Sequence, residues 1–222
     1  MSTYVLMRIL ESAPRRYDLG IRLLTLGRVG KAYDRLASHI QPGQRVLDLG
    51  CGTGALTFRG ARRGAKVKGI DVNARMLEIA AQRMKKAGLT QSVELVEMGV
   101  AEIDGEEPEI YDTVMSGLCF SELSEDEMSY TLKEVVRILR PGGLLLIADE
   151  TKPKGIASRL IHSLVRVPLG ALVYVLTQQT TNPVSNLIEK LMKAGLSIVS
   201  VHSTRLGNFG EFVAQKPLRK PS

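Results

Sequence analysis

The chain has 222 residues, 44% of them hydrophobic, and a formal net charge of +7, enough material for one well-packed domain with a small addition. Its basic residues are scattered and only 5% of the chain is aromatic, which argues against a nucleic-acid face built on charge and base stacking. Two cysteines, Cys51 and Cys119, are too few for a disulfide framework or a cysteine-rich metal site and fit a reducing cytoplasm.

The opening "MSTYVLMRILESAPRRYDLG" carries charged groups of both signs by position 16, unlike a signal or transit peptide. Residues 3–39 read as helical, interrupted near Ala13-Pro14 and from Gly27 to Gly30, and closed by a turn at Pro42-Gly43. Strands and helices then alternate. Strands are expected at Arg45–Leu49, Lys66–Ile70, Val93–Glu97, 111–118 and Leu144–Ala148. Between them come helices over Ala55–Arg63, over 74–87 capped by Asn73 and ended by Gly88, and over Glu125–Leu139 until "RPGG" stops it. This alternation predicts a parallel sheet covered on both faces.

Residues 155–176, "GIASRLIHSLVRVPLGALVYVL", are the most apolar long stretch. Their longest uncharged run, Val167 to Leu176, contains Pro168 and Gly170 and falls well short of the roughly 20 residues that span a bilayer. Ile156, Ala157, Leu160, Ile161 and Leu164 share one helical face, and Arg159, His162 and Arg166 the other. The expectation is a lid whose apolar side lines a pocket and whose basic side suits peripheral contact with a phospholipid surface. A helix from Pro183 to Ala194 and strands near 196–201 and 209–215 complete one domain: cap 1–40, core 41–150, lid 151–182, and helix with hairpin 183–216.

The sharpest chemical signal is "RVLDLGCGTGALT", residues 45–57. Gly50, Cys51, Gly52 and Gly54 lie between a strand and a helix, where a backbone free of side chains lets a ligand approach a helix N-terminus. Gly50-x-Gly52-x-x-Ala55 also satisfies a dinucleotide fingerprint, with Asp71 at the right distance to hold a ribose. Asp48 decides against a dinucleotide, because a carboxylate beside a pyrophosphate pairs like charges. S-adenosylmethionine, with an ammonium, a sulfonium, a ribose and no phosphate, suits Asp48 and Asp71 together. The bland alternative makes Asp48 a helix cap and the glycines a tight turn.

"VLDLGCGTG", "GIDVN", "YDTVMSGLCFSEL" and "VVRILRPGGLLLIADE" together resemble the motifs of the class I S-adenosylmethionine-dependent methyltransferases. The resemblance implies a Rossmann-like fold with a seven-stranded, mostly parallel sheet and an antiparallel last strand. It places the glycine loop under the methionine part of the cofactor, Asp71 with neighbouring Val72 at the ribose and adenine, and Ser116 beside the methyl group. Where many members carry an acid for the adenine amino group this chain has Val100, which leaves Ala101 and Glu102 for that task. "APRRYDLGIRLLTLG" and "NFGEFVAQKP" resemble the ubiquinone and menaquinone methyltransferases and their phospholipid-modifying relatives, while "YVLMRILESAPRRYD" and "MSGLCFSELSEDE" resemble small methyltransferases associated with corrinoid proteins. The first likeness implies a small, lipid- or quinone-like acceptor and a cofactor contact from Tyr17, paired with Asp18; the second implies a corrinoid protein as partner.

Methyl transfer asks the protein mainly for positioning. "LCFSEL" holds no histidine, so Glu122 is the candidate base, against the plainer reading that it begins the negative first turn of the next helix. Cys119 reads as a small buried hydrophobe rather than a nucleophile. His39, His162 and His202 show no metal spacing, and no metal is expected. A protein that binds cofactor without catalysis remains the non-enzymatic alternative.

Overall fold

The computed structural model describes residues 28–151, 184, 186–204 and 209–219. Tyr17, Asp18 and the stretch 155–176 lie outside the described residues. The elements are α1 (Arg28–Ala37), β1 (Arg45–Leu49), α2 (Ala55–Arg62), β2 (Lys66–Asp71), α3 (Ala74–Lys86), β3 (Val93–Glu97), β4 (Tyr111–Gly117), α4 (Glu125–Ile138), β5 (Leu139–Glu150), α5 (Leu187–Lys193), β6 (Ser197–Ser203) and β7 (Phe209–Gln215). Short 3-10 helices at Val100–Gly105 and Phe120–Glu122 follow β3 and β4.

The seven strands form one sheet in the order β3-β2-β1-β4-β5-β7-β6. Strands β1 to β5 run parallel to one another, and β7 is antiparallel to both β5 and β6, the Rossmann-like arrangement that the motifs implied. Alternation along the strands sends side chains to two cores. Leu47, Leu49, Val114 and Ile147 pack under Met128, Leu132 and Val135 of α4 and Leu187 and Leu191 of α5. Val46, Val67, Met115 and Leu146 meet Val29, Ala32, Tyr33 and Leu36 of α1 and Leu56 and Ala61 of α2. The apolar spacing on α1 and α4 is helical, which is why each buries a single stripe.

Local signals set most boundaries. Asn73 caps α3 by accepting from Arg75 N and Met76 N at 3.1 and 3.3 Å, and Ser124 caps α4 in a box with Glu127. Two boundaries differ from expectation. "RPGG" does not separate α4 from the next strand: Leu139 already pairs with Tyr111, and residues 142–143 exchange hydrogen bonds with Lys216, so β5 starts there. Val184 is not helical, because its N–H donates to Glu150 O at 2.9 Å and extends the chain beside β5; the helix begins only at Leu187.

Helix α1 is tied to the far end of the sequence. Arg35 Nε and Nη2 donate to the two carboxylate oxygens of Glu211 on β7, at 2.7 and 2.5 Å. This two-pronged geometry fixes orientation as well as contact.

Candidate functional site

From β1 the chain crosses through α2 to β2, and from β4 it crosses through α4 to β5, in opposite directions along the sheet. The carboxyl ends of β1 and β4 therefore flank a crevice at the topological switch point, where ligands of open α/β sheets bind. The glycine loop forms one wall. Gly50 has φ 63°, and a Cβ there would stand 2.6 Å from Cys119 Sγ. Gly54 has φ 75° and lies so close to α3 that its Cβ would be 3.0 Å from Ala80 Cβ and from Met84 Cε. These glycines let the loop lie flat between the segment after β4 and α3.

The loop is not a phosphate cradle. Cys51 N donates to Ile70 O at 2.9 Å, Gly52 N to Asp71 Oδ2 at 2.8 Å, and Gly54 N to Cys51 O at 2.9 Å. Amides that bind phosphate point at the ligand, whereas these three are committed to the protein.

Carboxylates gather around the crevice. Asp48 is 1% exposed, and its Oδ2 accepts from Thr57 Oγ1 while Oδ1 has no hydrogen-bond partner among the described residues. Burial pushes its carboxyl up to about 7, with Thr57 opposing and Asp71 adding to the shift. Asp149 is fully buried, accepts from Ser121 N at 3.1 Å and Glu150 N at 2.7 Å, and is also raised to about 7, chiefly by burial. Glu122 sits on the solvent-facing rim; desolvation by the surrounding protein, then Asp149 and Asp71, lift its carboxyl to about 7. Among the described residues, no arginine or lysine figures among the groups that set the proton affinities of the buried Asp48 and Asp149. A buried carboxylate without a cation is costly, so the crevice suits a positively charged ligand and opposes a pyrophosphate.

Asp71 accepts from Asn73 N with Oδ1 and from Gly52 N with Oδ2, and its remaining lone pairs can accept ribose hydroxyls. Val72 next to it is 72% exposed and abuts the turn that opens the 3-10 helix, where a Cβ on Gly99 would stand 3.5 Å from Val72 Cγ1. Ala101 and Glu102 are exposed on the same turn, and Glu102 Oε1 accepts from Gly99 N at 2.8 Å. The fold thus joins the loop, Asp71, Val72, Ala101 and Glu102 along one rim. Ser116 is buried between β1 and β4, its hydroxyl donating to Leu49 O at 3.3 Å. Both thiols are packed, Cys51 against Gly69 and Cys119 against Gly50, and burial raises both well above the thiol range. A protonated, enclosed thiol is not a nucleophile.

Sequence reasoning missed three features. Asp149 is one, although an acid inside the apolar run "LLLIADE" carries the same signal as Asp48. Leu118 is another, held at φ 62° just beyond β4, a strained backbone of the kind that clusters at functional sites. The third is Tyr33, whose ring tip lies against Gly117 so closely that a Cβ there would stand 2.6 Å from Tyr33 Cζ. Gly117→Ala is expected to destabilise the protein by about 1–3 kcal/mol through overpacking. In a Tyr33→Ala background the same change is expected to cost less than about 1 kcal/mol, and equal costs in both backgrounds by urea unfolding would disprove the contact.

Residues 46–143 match the family described as "Methyltransferase domain". A ubiquinone/menaquinone biosynthesis C-methyltransferase from Vibrio vulnificus strain YJ016 is 30% identical over 151 residues, which cover 66% of this chain and 57% of that protein. The chain therefore spans less than two thirds of that relative's length. Among solved structures, the [4+2]-cyclase SpnF superposes with a TM-score of 0.69 at 21% identity, covering 86% of this chain and 82% of that one. A geranyl diphosphate methyltransferase in complex with S-adenosylmethionine gives 0.64 at 14% identity, covering 84% and 85%. At these identities the superpositions establish the shared fold.

Proposed function

The chain belongs to the class I S-adenosylmethionine-dependent methyltransferase family, and from that footing we propose that it transfers a methyl group from S-adenosylmethionine to a small acceptor with an apolar body. The observation that carries the donor assignment is the crevice: buried carboxylates, an unpartnered Asp48 Oδ1 and loop amides already spent. This set fits an ammonium and a sulfonium and rejects a phosphate. The small acceptor is supported by the relative named for ubiquinone and menaquinone biosynthesis.

When bound, S-adenosylmethionine supplies a methyl group activated on sulfur. The protein's part is placement and charge. The glycine loop and Asp48 receive the amino-acid end, with Asp48 Oδ2 fixed on the first turn of α2 by Thr57. Asp71 orients the ribose, while Val72 offers an apolar surface to the base beside Ala101 and Glu102. Glu122, on the rim after β4, takes the proton that an attacking C–H, N–H or O–H group must lose. Its raised carboxyl suits a base working near neutral pH.

Glu122→Gln is expected to lower kcat by about 100-fold or more while leaving the cofactor dissociation constant within about twofold. A parallel loss of cofactor affinity would assign Glu122 to binding instead. The acceptor is tested by incubating the protein and methyl-labelled donor with small-molecule, lipid and protein fractions of the host. Label in the small-molecule or lipid fraction is expected. Label confined to protein would overturn the small acceptor, and no calorimetric binding at millimolar S-adenosylmethionine would sink the donor as well.

A further inference from the structure

The amino ends of the parallel strands lie at the edge of the sheet opposite the crevice, and they enclose a second cavity of about 630 Å³. That volume falls within the usual range of small-ligand pockets. The walls come from the first residues of β1 to β4, from Arg140 near the start of β5 and from Glu106. Charged side chains recur around the lining, which suits a polar ligand.

Most of these charges are already paired. Lys68 Nζ donates to Glu106 Oε1 at 2.5 Å, and Tyr111 Oη donates to Glu106 Oε2 at 2.8 Å. Arg140 Nη1 donates to Asp112 Oδ1 at 2.6 Å, and the other oxygen of Asp112 accepts from Arg45 N at 2.8 Å. Arg45, Lys66 and Glu94 are left over: among the described residues their side chains enter no hydrogen bond or ion pair. Arg45 does contribute to the field at Glu106, but both oxygens of that carboxylate are taken.

Strand register turns the two leftover cations into a costly pair. Arg45 on β1 pairs directly with Lys66 on β2, so the two side chains leave the same face of the sheet on strands about 4.8 Å apart. Like charges abreast on neighbouring strands repel and destabilise the sheet. An anion held by both removes the penalty, since a guanidinium grips phosphate oxygens with two parallel bonds and an ammonium adds a point charge. Gln91 and Ser92, just before β3, bring an amide and a hydroxyl to the same wall. Glu94 stands two residues beyond Ser92, about 7 Å further along the strand direction, where a carboxylate repels phosphate but accepts hydroxyls. The lining thus passes from cationic to anionic over the length of one sugar phosphate.

We propose that this cavity is a second ligand site, which binds a small soluble sugar phosphate with the phosphate on Arg45 and Lys66 and a hydroxyl on Glu94. Such a site is independent of the donor and acceptor in the crevice. Ribose 5-phosphate is the probe, and ribose and inorganic phosphate represent its two halves.

In calorimetric titrations at constant ionic strength, wild-type protein is expected to bind ribose 5-phosphate with a dissociation constant of about 1 mM or less, and ribose at least about tenfold more weakly. Arg45→Gln and Lys66→Gln are each expected to weaken ribose 5-phosphate about tenfold, the scale of a lost charge-assisted hydrogen bond. Lys193→Gln, which removes the same charge from α5, is expected to leave it within about twofold. Glu94→Ala is expected to weaken ribose 5-phosphate about fivefold without weakening inorganic phosphate. All four positions are exposed, so folding is retained. Urea unfolding gives a second reading: ribose 5-phosphate is expected to raise the midpoint of the wild type and not that of the combined Arg45→Gln and Lys66→Gln variant. No binding by the wild type, an equal loss in Lys193→Gln, or tighter binding of both ligands by Glu94→Ala overturns the proposal. Competition with S-adenosylhomocysteine also overturns it, by moving the sugar phosphate into the crevice.

Discussion

Gly50→Ala is expected to cost about 2–5 kcal/mol of folding stability and to weaken S-adenosylmethionine binding by at least about 100-fold. Two separate effects add. A side chain at φ 63° pays about 1–2 kcal/mol for the left-handed backbone, and a Cβ placed 2.6 Å from Cys119 Sγ forces a rearrangement worth about 1–3 kcal/mol. The rearrangement moves the loop wall, and a displacement of about 1 Å at a site can cost on the order of 100-fold. Gly52→Ala is the control for folding stability: its φ is 53° but nothing in the protein lies within 4 Å of its Cβ, so only the backbone cost applies to folding. Denaturant unfolding of the two variants checks this, and equal losses of stability in both would remove the role given to Cys119 packing.

Cofactor affinity is expected to rise about tenfold between pH 6 and 8 for each crevice carboxylate that must ionise to bind. Asp48 and Asp149 are held near 7 in the ligand-free protein, above the value of about 3.9 of an unfolded aspartate. A raised acid contributes stability that is complete below its unfolded value and lost as pH climbs through the folded one. The ligand-free protein should therefore lose stability from about pH 4 to 7 on their account, with Glu122 adding a smaller part because it faces solvent. A cationic ligand reverses the preference by favouring the ionised carboxylates, so binding releases protons near pH 7. The gain levels off as the donor's own α-amino group begins to deprotonate near 8. Titrations in buffers of different ionisation enthalpy count the protons released, and Asp48→Asn should release fewer. A flat affinity across this window would mean that these carboxylates do not contact the charged part of the ligand.

Much of this was legible because the signals are local. Strands β1 to β4 are short apolar runs between glycines and caps, and Asn73 and Ser124 mark their helices within three residues of sequence. Asp48 stood out as an acid inside such a run. It does not cap α2, whose N-cap is Gly54; its Oδ2 accepts from the Thr57 hydroxyl on the first turn of that helix, and its Oδ1 has no partner among the described residues. Tyr33 was hidden because its importance depends on docking α1 against β4, a relation between residues far apart in the chain that no periodicity records. The extension of β5 back through "RPGG" was hidden for a similar reason, since it depends on pairing with Lys216. The lid and the Tyr17-Asp18 pair fall outside the described residues.

The Arg35–Glu211 tie also bears on how the protein is made. Helix α1 emerges early from the ribosome, but Glu211, Phe209 and Val213, which hold or pack against it, belong to a strand that is synthesised much later and sits inside the sheet between β5 and β6. Docking of α1 is thus coupled to late synthesis, and cofactor binding is expected to follow it. Ribosome-stalled chains ending at residue 204 should show no S-adenosylmethionine binding, whereas chains with residues 209–215 clear of the exit tunnel should bind; binding by the shorter chains would uncouple the two events.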